Sequence, residues 1–397
     1  MRSYSLFARL RVQPLTITNA SVWNGTGFET RDLYVSDVVL DKPARNAITV
    51  DLAGYEISPG LINAHDHLEL NHYPRAKFRD RYDNAHQWGE DVNARLNDEP
   101  FKSLRAYPLE DRLFIGGLKN LLCGVTTVAH HNPPHKALFR PDFPVRVLRR
   151  YGWIHSLHFN SEDEIIASYH STPPDVPWFI HLAEGTDEIA AGEYRRLKAL
   201  GCVGKNTVIV HGVGMTDEDI ADAAPRVRGL VWCPTTNLYL LGDTTKILMW
   251  RGAGGSAAIG SDSRLTAWGD VQDEIIEGLH VNDPDLSVED GWRLAGIEAA
   301  ALIGLPHVGT LQVNAPADWF AYNGNFRRSE TLLVVRGGVP QIGDPDLMAR
   351  FPYIETVPAT LDGVPKAVNL RLARQIARCT LQEPGLVLEM PIKRHRP

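Results

Sequence analysis

Two histidines two residues apart, His65 and His67, stand at the end of an apolar run that begins at Leu61. Because successive side chains of a β-strand alternate between its two faces, both imidazoles would point to the same side of a strand ending here. Two neutral imidazoles on one face supply half of the ligands of a transition-metal site. On this spacing alone, a metal site and a strand end with two solvent-exposed histidines are equally good interpretations.

Later apolar runs also end in residues that could bind a metal. Three of them end in His130, His181 and His211, and another is followed by Asp262. In a parallel barrel the C-terminal ends of all strands open on one face, where catalytic groups collect. Imidazole nitrogens and one carboxylate form the ligand set of a catalytic zinc or iron site that leaves a position for water. The series therefore favours a metal site over a structural role for each histidine.

The hydrophobic pattern predicts the elements that position these residues. Short strands and turns fill the region before the histidine pair, strands then alternate with helices to about residue 306, and strands return afterwards. The alternating part predicts an α/β fold with a parallel sheet, most simply a (β/α)8 TIM-like barrel. Between Phe159 and Trp178 there is room for little more than one short helix, which leaves open whether the barrel unit at 160–177 is truncated.

We therefore expect three segments. Residues 1–57 form the N-terminal part of a small β domain, 58–308 form the metal-binding barrel, and 309–397 return to the β domain and add an outer helix at 366–377. The β texture at both ends predicts that they pair into one small β-sandwich beside the barrel.

Composition limits the partners and the compartment. The chain of 397 residues has 44% hydrophobic and 22% charged residues, as ordinary globular proteins do. A net charge of −7 leaves no basic surplus for phosphates, so we expect no nucleic-acid partner. We also expect no membrane span and no signal peptide, because no apolar run is long enough and Arg9 and Arg11 interrupt the N-terminus. Scattered cysteines without a C-x-x-C pair favour a cytoplasmic location, and a homo-oligomer stays open.

Several motifs occur in a specific order along the chain. They are Ser58-Pro-Gly-Leu-Ile-Asn-Ala-His-Asp-His67, His181-Leu-Ala-Glu184, Val210-His211-Gly, Cys233-Pro-Thr-Thr-Asn237-Leu and Gly260-Ser-Asp262. Together they resemble the metal-dependent amidohydrolase superfamily, most closely its mononuclear deaminase and chlorohydrolase-like branch, which includes guanine and cytosine deaminases. The resemblance covers most of the chain. It implies one divalent metal, zinc first and iron as the alternative, held by His65, His67, His181 and Asp262.

The resemblance also implies roles for the neighbouring residues. His211 corresponds to the residue that orients water or substrate, and Glu184 to the acid that shuttles a proton. Dinuclear members bridge two metals with a carboxylated lysine from an early strand. Lys136 is the only lysine between Lys119 and Lys198 and follows a Pro-Pro loop, which favours one metal.

These residues predict a hydrolase whose metal-bound hydroxide attacks an sp² carbon of a small heterocyclic substrate. Asp262 would take the proton of the water, Glu184 would protonate the ring nitrogen or the leaving amine, and His211 would polarise the developing oxyanion. Deamination, or hydrolysis of another C–N bond that is not a peptide bond, is the first hypothesis. An amidase, lactamase or dehalogenase on the same scaffold is the second, and a non-catalytic scaffold protein is the third.

Substrate contacts are harder to predict because specificity resides in loops. The candidates are His72, His130, Asn237 and Arg264, of which Arg264 offers a positive charge for an anionic substrate group. The long loop from Asn71 to Asp98 is a candidate lid over the site. For Arg264, for the histidine cluster around His130 and for this loop, a structural role is the favoured alternative.

Overall fold

The computed structural model describes residues 12–389 except 283, 323 and 325. The first eleven residues, on which the expectation of no signal peptide rests, lie outside this range. The N-terminal segment contains short strands separated by turns. These strands are β1 (Leu15–Thr18), β2 (Ser21–Trp23), β3 (Phe28–Thr30), β4 (Leu33–Val35), β5 (Val39–Leu40), β6 (Ile48–Asp51) and β7 (Glu56–Pro59).

The central segment alternates strands with helices, as its hydrophobic pattern predicts. Its elements from Leu61 to His211 are β8 (Leu61–Asp66), α1 (Ala85–Ala94), α2 (Phe101–Arg105), α3 (Leu109–Leu122), β9 (Val125–His130), β10 (Arg146–Val147), β11 (Gly152–Ser156), α4 (Glu162–Ser171), β12 (Trp178–Leu182), α5 (Glu188–Ala199) and β13 (Thr207–His211). The remaining ones are α6 (Asp217–Ala223), β14 (Gly229–Trp232), α7 (Pro234–Leu241), α8 (Ile247–Gly252), β15 (Ala257–Ile259), α9 (Val271–Val281), α10 (Val288–Leu294) and α11 (Ile297–Leu302).

The C-terminal segment returns to strands. Its elements are β16 (Trp319–Tyr322), β17 (Leu333–Arg336), β18 (Val339–Gly343), α12 (Pro345–Met348), β19 (Thr356–Leu361), β20 (Val364–Asn369), α13 (Leu370–Ile376) and β21 (Leu386–Leu388). Residues 366–369, predicted to begin the outer helix, instead pair with β19. The helical prediction is wrong there because Lys366 lies in a ladder and its buried Nζ donates to the carbonyl oxygen of Thr331 at 2.9 Å.

The central strands form two parallel sheets, in the orders β10-β9-β8 and β11-β12-β13-β14-β15. A parallel bridge between Asp66 and Asp262 joins the end of β8 to the chain just after β15. In the part of the chain that the structure describes, no strand pairing joins β10 to β11. The α/β fold with parallel sheets is confirmed, and the closure of these strands into a ring stays a prediction.

The irregular unit of this segment lies earlier than the sequence suggested. Four residues, 148–151, connect β10 to β11 without a helix. The region 160–177 instead contains α4, whose start is fixed by a capping box between Ser161 and Glu164. The shortened connection is therefore the one before β11.

The strands that carry the motifs are buried on both faces. Every residue of β8, β9, β12 and β13 is buried, as expected for parallel strands covered by helices. Gly60, between β7 and β8, allows β9 to approach closely, because a Cβ there would lie 2.2 Å from the hydroxyl oxygen of Thr126. Polar side chains at the ends of these strands are therefore held by rigid elements.

The two ends of the chain pair as predicted. Strand β7 pairs antiparallel with β16, so that N- and C-terminal strands share a nine-stranded sheet in the order β21-β19-β20-β18-β17-β16-β7-β2-β3. A second sheet, β5-β4-β1-β6, packs its Ile17 and Val35 into one core with Trp319. The predicted boundary at 57/58 falls inside β7, and the domain limits stay a prediction. No described helix is long and apolar enough to cross a bilayer.

Candidate metal centre and substrate cavity

Four side chains converge at the C-terminal ends of β8, β12 and β15. Each of His65, His67, His181 and Asp262 offers one ligand atom, and these atoms all lie within 4.8 Å of one another. The Nε2 atom of His181 lies 3.3 Å from the Nε2 atoms of both His65 and His67. The Oδ1 atom of Asp262 lies 3.5 Å from His65 Nε2 and 3.3 Å from His67 Nε2.

Hydrogen bonds behind two of the imidazoles fix which nitrogen carries the proton. The Nδ1 atom of His181 lies 2.9 Å from the carbonyl oxygen of His155, so it must donate. His131 donates from Nε2 to the carbonyl of Ile154 at 2.9 Å. Its Nδ1 therefore accepts from Nδ1 of His65 at 3.2 Å. Both His65 and His181 thus present an unprotonated Nε2 atom to the centre, which is the form that binds a metal.

This arrangement fits a divalent metal. Two unprotonated nitrogens 3.3 Å apart repel each other unless a cation lies between them. Metal–nitrogen bonds of about 2.0–2.1 Å in a tetrahedral site place ligand atoms about 3.3–3.4 Å apart. The distances of 3.3 and 3.5 Å in the cluster agree with that spacing. Burial lowers the pKa values of His65 and His181, which keeps both imidazoles neutral.

The backbone is strained where the chain delivers these groups. Ala183, His211 and Asp262 have φ angles of 54°, 73° and 51°, a region that residues other than glycine rarely adopt. Ala183 directly follows β12, His211 ends β13, and Asp262 lies three residues after the end of β15. Such strain persists only where the surrounding structure enforces it, and it is concentrated at functional sites.

Asp262 is held as a carboxylate. Its Oδ2 atom accepts hydrogen bonds from the hydroxyl groups of Thr266 at 2.6 Å and Thr236 at 3.2 Å. Burial would raise the pKa of Asp262, but the imidazoles of His65, His67 and His211 around it hold that pKa well below the usual range. Oδ1 is left facing the three histidines.

Glu184 and His211 lie beside the cluster and contact each other. Glu184 Oε1 is 3.5 Å from His211 Nε2. Burial, with Asp262 and Glu193 nearby, raises the pKa of Glu184 well above its ordinary value. Asn237 Nδ2 donates to His211 Nδ1 at 2.9 Å, so His211 carries its proton on Nε2 and can donate it into the cavity. Asn237 is itself fully buried behind His211 and does not line the cavity.

His130, another predicted substrate contact, points away from the cavity. In the ladder between β8 and β9, Asp66 lies opposite His130, and residues opposite each other share a face of the sheet. That face is turned away from His65, so His130 instead lies 3.4 Å from the amide nitrogen of Leu68, whose N–H it accepts. His131, one residue further, points to the centre.

Arg264 and His72 also lie outside the cavity. Both Arg264 amino groups bond to the buried carboxylate of Glu383, at 2.9 and 2.5 Å. His72 Nε2 lies 3.0 Å from the carbonyl oxygen of Leu104. Neither residue contributes to the cavity wall, so the geometry does not support a substrate contact for them. Arg264 instead joins the loop after Asp262 to the C-terminal segment.

The positions of Lys136 and Lys119 are consistent with a site for a single metal ion, because neither lysine is among the residues that converge on the centre. Lys136 is exposed in a short 3-10 turn at 136–139. Lys119 is fully buried on α3, and its Nζ donates to Asn71 and to the hydroxyl group of Ser261, each at 2.9 Å. Within the described ranges, the cluster around His65 is the one group of histidine, cysteine and acidic residues arranged to hold an ion.

A cavity of about 400 Å³ opens on the cluster. His67, His181, Asp262, Glu184 and His211 lie in its wall. The segment 71–98, predicted to cover the site, contributes further wall residues from the loop and α1. Such a volume suits a small molecule.

Sequence reasoning missed two residues of this site, His131 and Glu193. His131 is adjacent to His130, and alternation along β9 indicates that the two side chains lie on opposite faces. The sequence does not indicate which of these faces is turned to the centre, because that depends on the pairing with β8. Glu193 lies on α5 and offered no comparable signal, since an acidic residue on a helix is ordinarily solvent-exposed.

Comparison with known proteins places this arrangement in context. No family model and no curated protein matches the sequence. Solved structures do match, among them an adenosine deaminase from Xanthomonas campestris with bound zinc, at 18% identity and a TM-score of 0.67, covering 85% of this chain and 96% of that one. The chain shares its fold.

Two further structures support the same conclusion. An atrazine chlorohydrolase from Arthrobacter aurescens TC1 complexed with zinc has 17% identity and a TM-score of 0.68, with 85% of this chain and 98% of that chain covered. An amidohydrolase from a Sargasso Sea environmental sample has 16% identity and a TM-score of 0.61, with 83% and 92% covered. The predicted resemblance to the amidohydrolase superfamily is confirmed at the level of the fold.

Proposed function

We propose that this protein is a metal-dependent hydrolase that cleaves a C–N bond other than a peptide bond in a small heterocyclic substrate, with deamination as its reaction. The observation that carries the proposal is the position of Glu184 and His211 beside four converging ligand atoms in one cavity. The fold shared with a zinc-bound adenosine deaminase supports it. We also infer that the eight parallel strands close into a (β/α)8-like barrel around this centre.

The ligand set would be His65, His67, His181 and Asp262, with zinc as the metal, as in two of the solved neighbours. A divalent metal held by these residues would lower the pKa of a bound water to roughly 7 and so would supply hydroxide at neutral pH.

The chain's own residues complete the reaction. Asp262 accepts the proton that the attacking water loses, because its Oδ1 faces the centre while two threonine hydroxyl groups hold Oδ2. Glu184, whose raised pKa keeps a proton available, delivers that proton to the departing nitrogen. His211 Nε2 donates a hydrogen bond to the substrate atom on which negative charge develops. The new C–O bond then replaces the C–N bond, and an amine or ammonia leaves.

Metal analysis and a substrate panel test this proposal. Protein purified without chelator should contain about one zinc per chain, and release of ammonia should follow incubation with at least one member of a panel of purines, pyrimidines, pterins and amino-triazines. A folded protein that binds no divalent metal would contradict the metal site. A metal-loaded protein that is inert on the whole panel would contradict deamination.

Dehalogenation is the second candidate, because an atrazine chlorohydrolase shares the fold. The same panel should include chlorinated triazines, with chloride and ammonia measured in parallel. Chloride release without ammonia release would select this alternative. A non-catalytic scaffold is disfavoured, because all four ligand side chains are present at the centre and Glu184 and His211 lie in the wall of the cavity beside it.

A further inference from the structure

The cavity has an unusual charge balance. Three acidic residues that contribute to its wall, Glu184, Glu193 and Asp262, have mostly buried side chains. Among the described residues, neither lysine nor arginine contributes to this wall. The wall therefore has no lysine or arginine with which an anionic group of a substrate could pair.

Glu193 is the least explained of these acids. It lies on α5 with 4% of its surface exposed. Its Oε2 atom accepts a hydrogen bond from the amide nitrogen of Ala183 at 2.6 Å. Its Oε1 atom lies 3.4 Å from Nε2 of His86, another residue of the wall.

Among the described residues, neither lysine nor arginine forms an ion pair with Glu193, and the nearby Arg196 only partly offsets the effect of burial on its pKa. Burial lowers the pKa of His86 to about 4, so its imidazole is neutral at physiological pH. Arg196, on the same helix, bonds to Glu162 at 2.9 Å. A buried carboxylate without a cationic partner is costly, and burial raises the pKa of Glu193 to about 7. A ligand that supplied positive charge here would offset that cost.

Apart from His86 and Asn93, the residues that the segment 71–105 contributes to the wall are apolar. Tyr73, Trp88, Val92 and Phe101 contribute to it, and they pack together as one cluster. An apolar group of the ligand can fill this part of the cavity while a polar group meets an acid.

We propose that Glu193, with His86 beside it, is an anchoring subsite for a cationic N–H group of the substrate, such as an ammonium, amidinium or guanidinium group carried on an apolar arm. This inference rests on the proposed function and narrows its substrate class to cationic molecules. Glu193 would act in binding, and Glu184 in the reaction.

The alternative is that Glu193 only supports the strained turn at Ala183. A Glu193→Gln variant separates the two roles. The amide keeps a carbonyl oxygen that can accept the Ala183 N–H, but it removes the negative charge. Glu188→Gln is the matched control, because Glu188 begins the same helix and is exposed.

The test measures binding of benzamidine and of its neutral isostere benzamide to the zinc-loaded full chain by titration calorimetry. We expect benzamidine to bind about tenfold more tightly than benzamide, and Glu193→Gln to remove that preference, since a charge-assisted pair is replaced by a neutral one. Benzamide affinity should stay within about twofold, and Glu188→Gln should change neither.

Equal affinity of the wild-type protein for both probes would overturn the subsite, as would unchanged benzamidine binding in a folded Glu193→Gln variant. If that variant does not fold, a crystal structure of wild-type protein with benzamidine decides, and an amidinium away from Glu193 would also overturn the subsite. Because binding is measured without turnover, this outcome does not depend on whether any member of the substrate panel is hydrolysed, so failure of the subsite and failure of the proposed reaction are distinguishable.

Discussion

His131 Nδ1 lies 3.2 Å from His65 Nδ1, and His131 Nε2 lies 2.9 Å from the carbonyl oxygen of Ile154. The carbonyl can only accept, so the proton positions along this chain are fixed as far as the Nε2 atom of His65. His131 therefore sets the tautomer of a metal ligand without contributing to the ligand set.

Replacing His131 should weaken metal binding. In His131→Phe the Nδ1 proton of His65 loses its acceptor, and we expect zinc affinity to fall about 10- to 100-fold, as is usual when the partner of a ligating histidine is removed. Competition with a chelator of known affinity measures this. His170→Phe, at an exposed position on α4, should leave affinity unchanged. Equal zinc affinity in the His131→Phe variant would refute the role.

Glu184→Gln should lose turnover and keep its metal. The amide cannot release a proton to the leaving nitrogen, so we expect kcat to fall by about 10²- to 10⁴-fold. Zinc content should stay near one per chain, because Glu184 is not among the converging ligand atoms. Glu188→Gln serves as the control for loss of one negative charge. Full activity of Glu184→Gln would remove Glu184 from the mechanism.

Arg264 should matter for stability and not for substrate binding. In Arg264→Met the buried carboxylate of Glu383 keeps Arg328 at 2.7 Å but loses two hydrogen bonds. We expect the free energy of unfolding to fall by about 1–3 kcal/mol, measured by urea denaturation with saturating zinc. Arg293→Met, in an exposed pair with Glu298, should cost less than about 1 kcal/mol. A large rise in KM with unchanged stability would restore the predicted substrate contact.

Glu274 should make stability depend on pH. Burial raises its pKa to about 8, although Thr235 donates hydrogen bonds to its carboxylate. A carboxyl group whose pKa is higher in the folded than in the unfolded protein stabilises the fold while it is protonated. This contribution is fully present below the unfolded pKa, near 4.5, and is lost as pH rises towards 8. At about 1.4 kcal/mol for each pKa unit, the effect amounts to a few kcal/mol.

The comparison that measures this is between wild type and Glu274→Gln. We expect the stability of the variant, relative to wild type, to increase as pH rises from about 4.5 to 8, because the amide never becomes charged. Glu277→Gln, on the same helix and partly exposed, should show no such trend. A constant difference between Glu274→Gln and wild type across this range would show that Glu274 does not titrate there.

The sequence by itself determined the strand ends that form the metal centre. The two-residue spacing of His65 and His67 fixes a shared face, and apolar runs before His181 and Asp262 are long enough to identify buried strands. These are local properties, because alternation along a strand and the opening of parallel strands on one face do not depend on which neighbour pairs with which.

Only the tertiary structure decided which neighbouring side chains join that centre. Pairing of Asp66 with His130 turns His130 away and His131 inward, since a shift of one residue exchanges the two faces of a strand. Arg264 donates hydrogen bonds to Glu383, which is 119 residues later in the chain. The packing of α5 in the folded chain brings Glu193 to the wall of the cavity. Each outcome depends on contacts between segments far apart in sequence, which local patterns cannot specify.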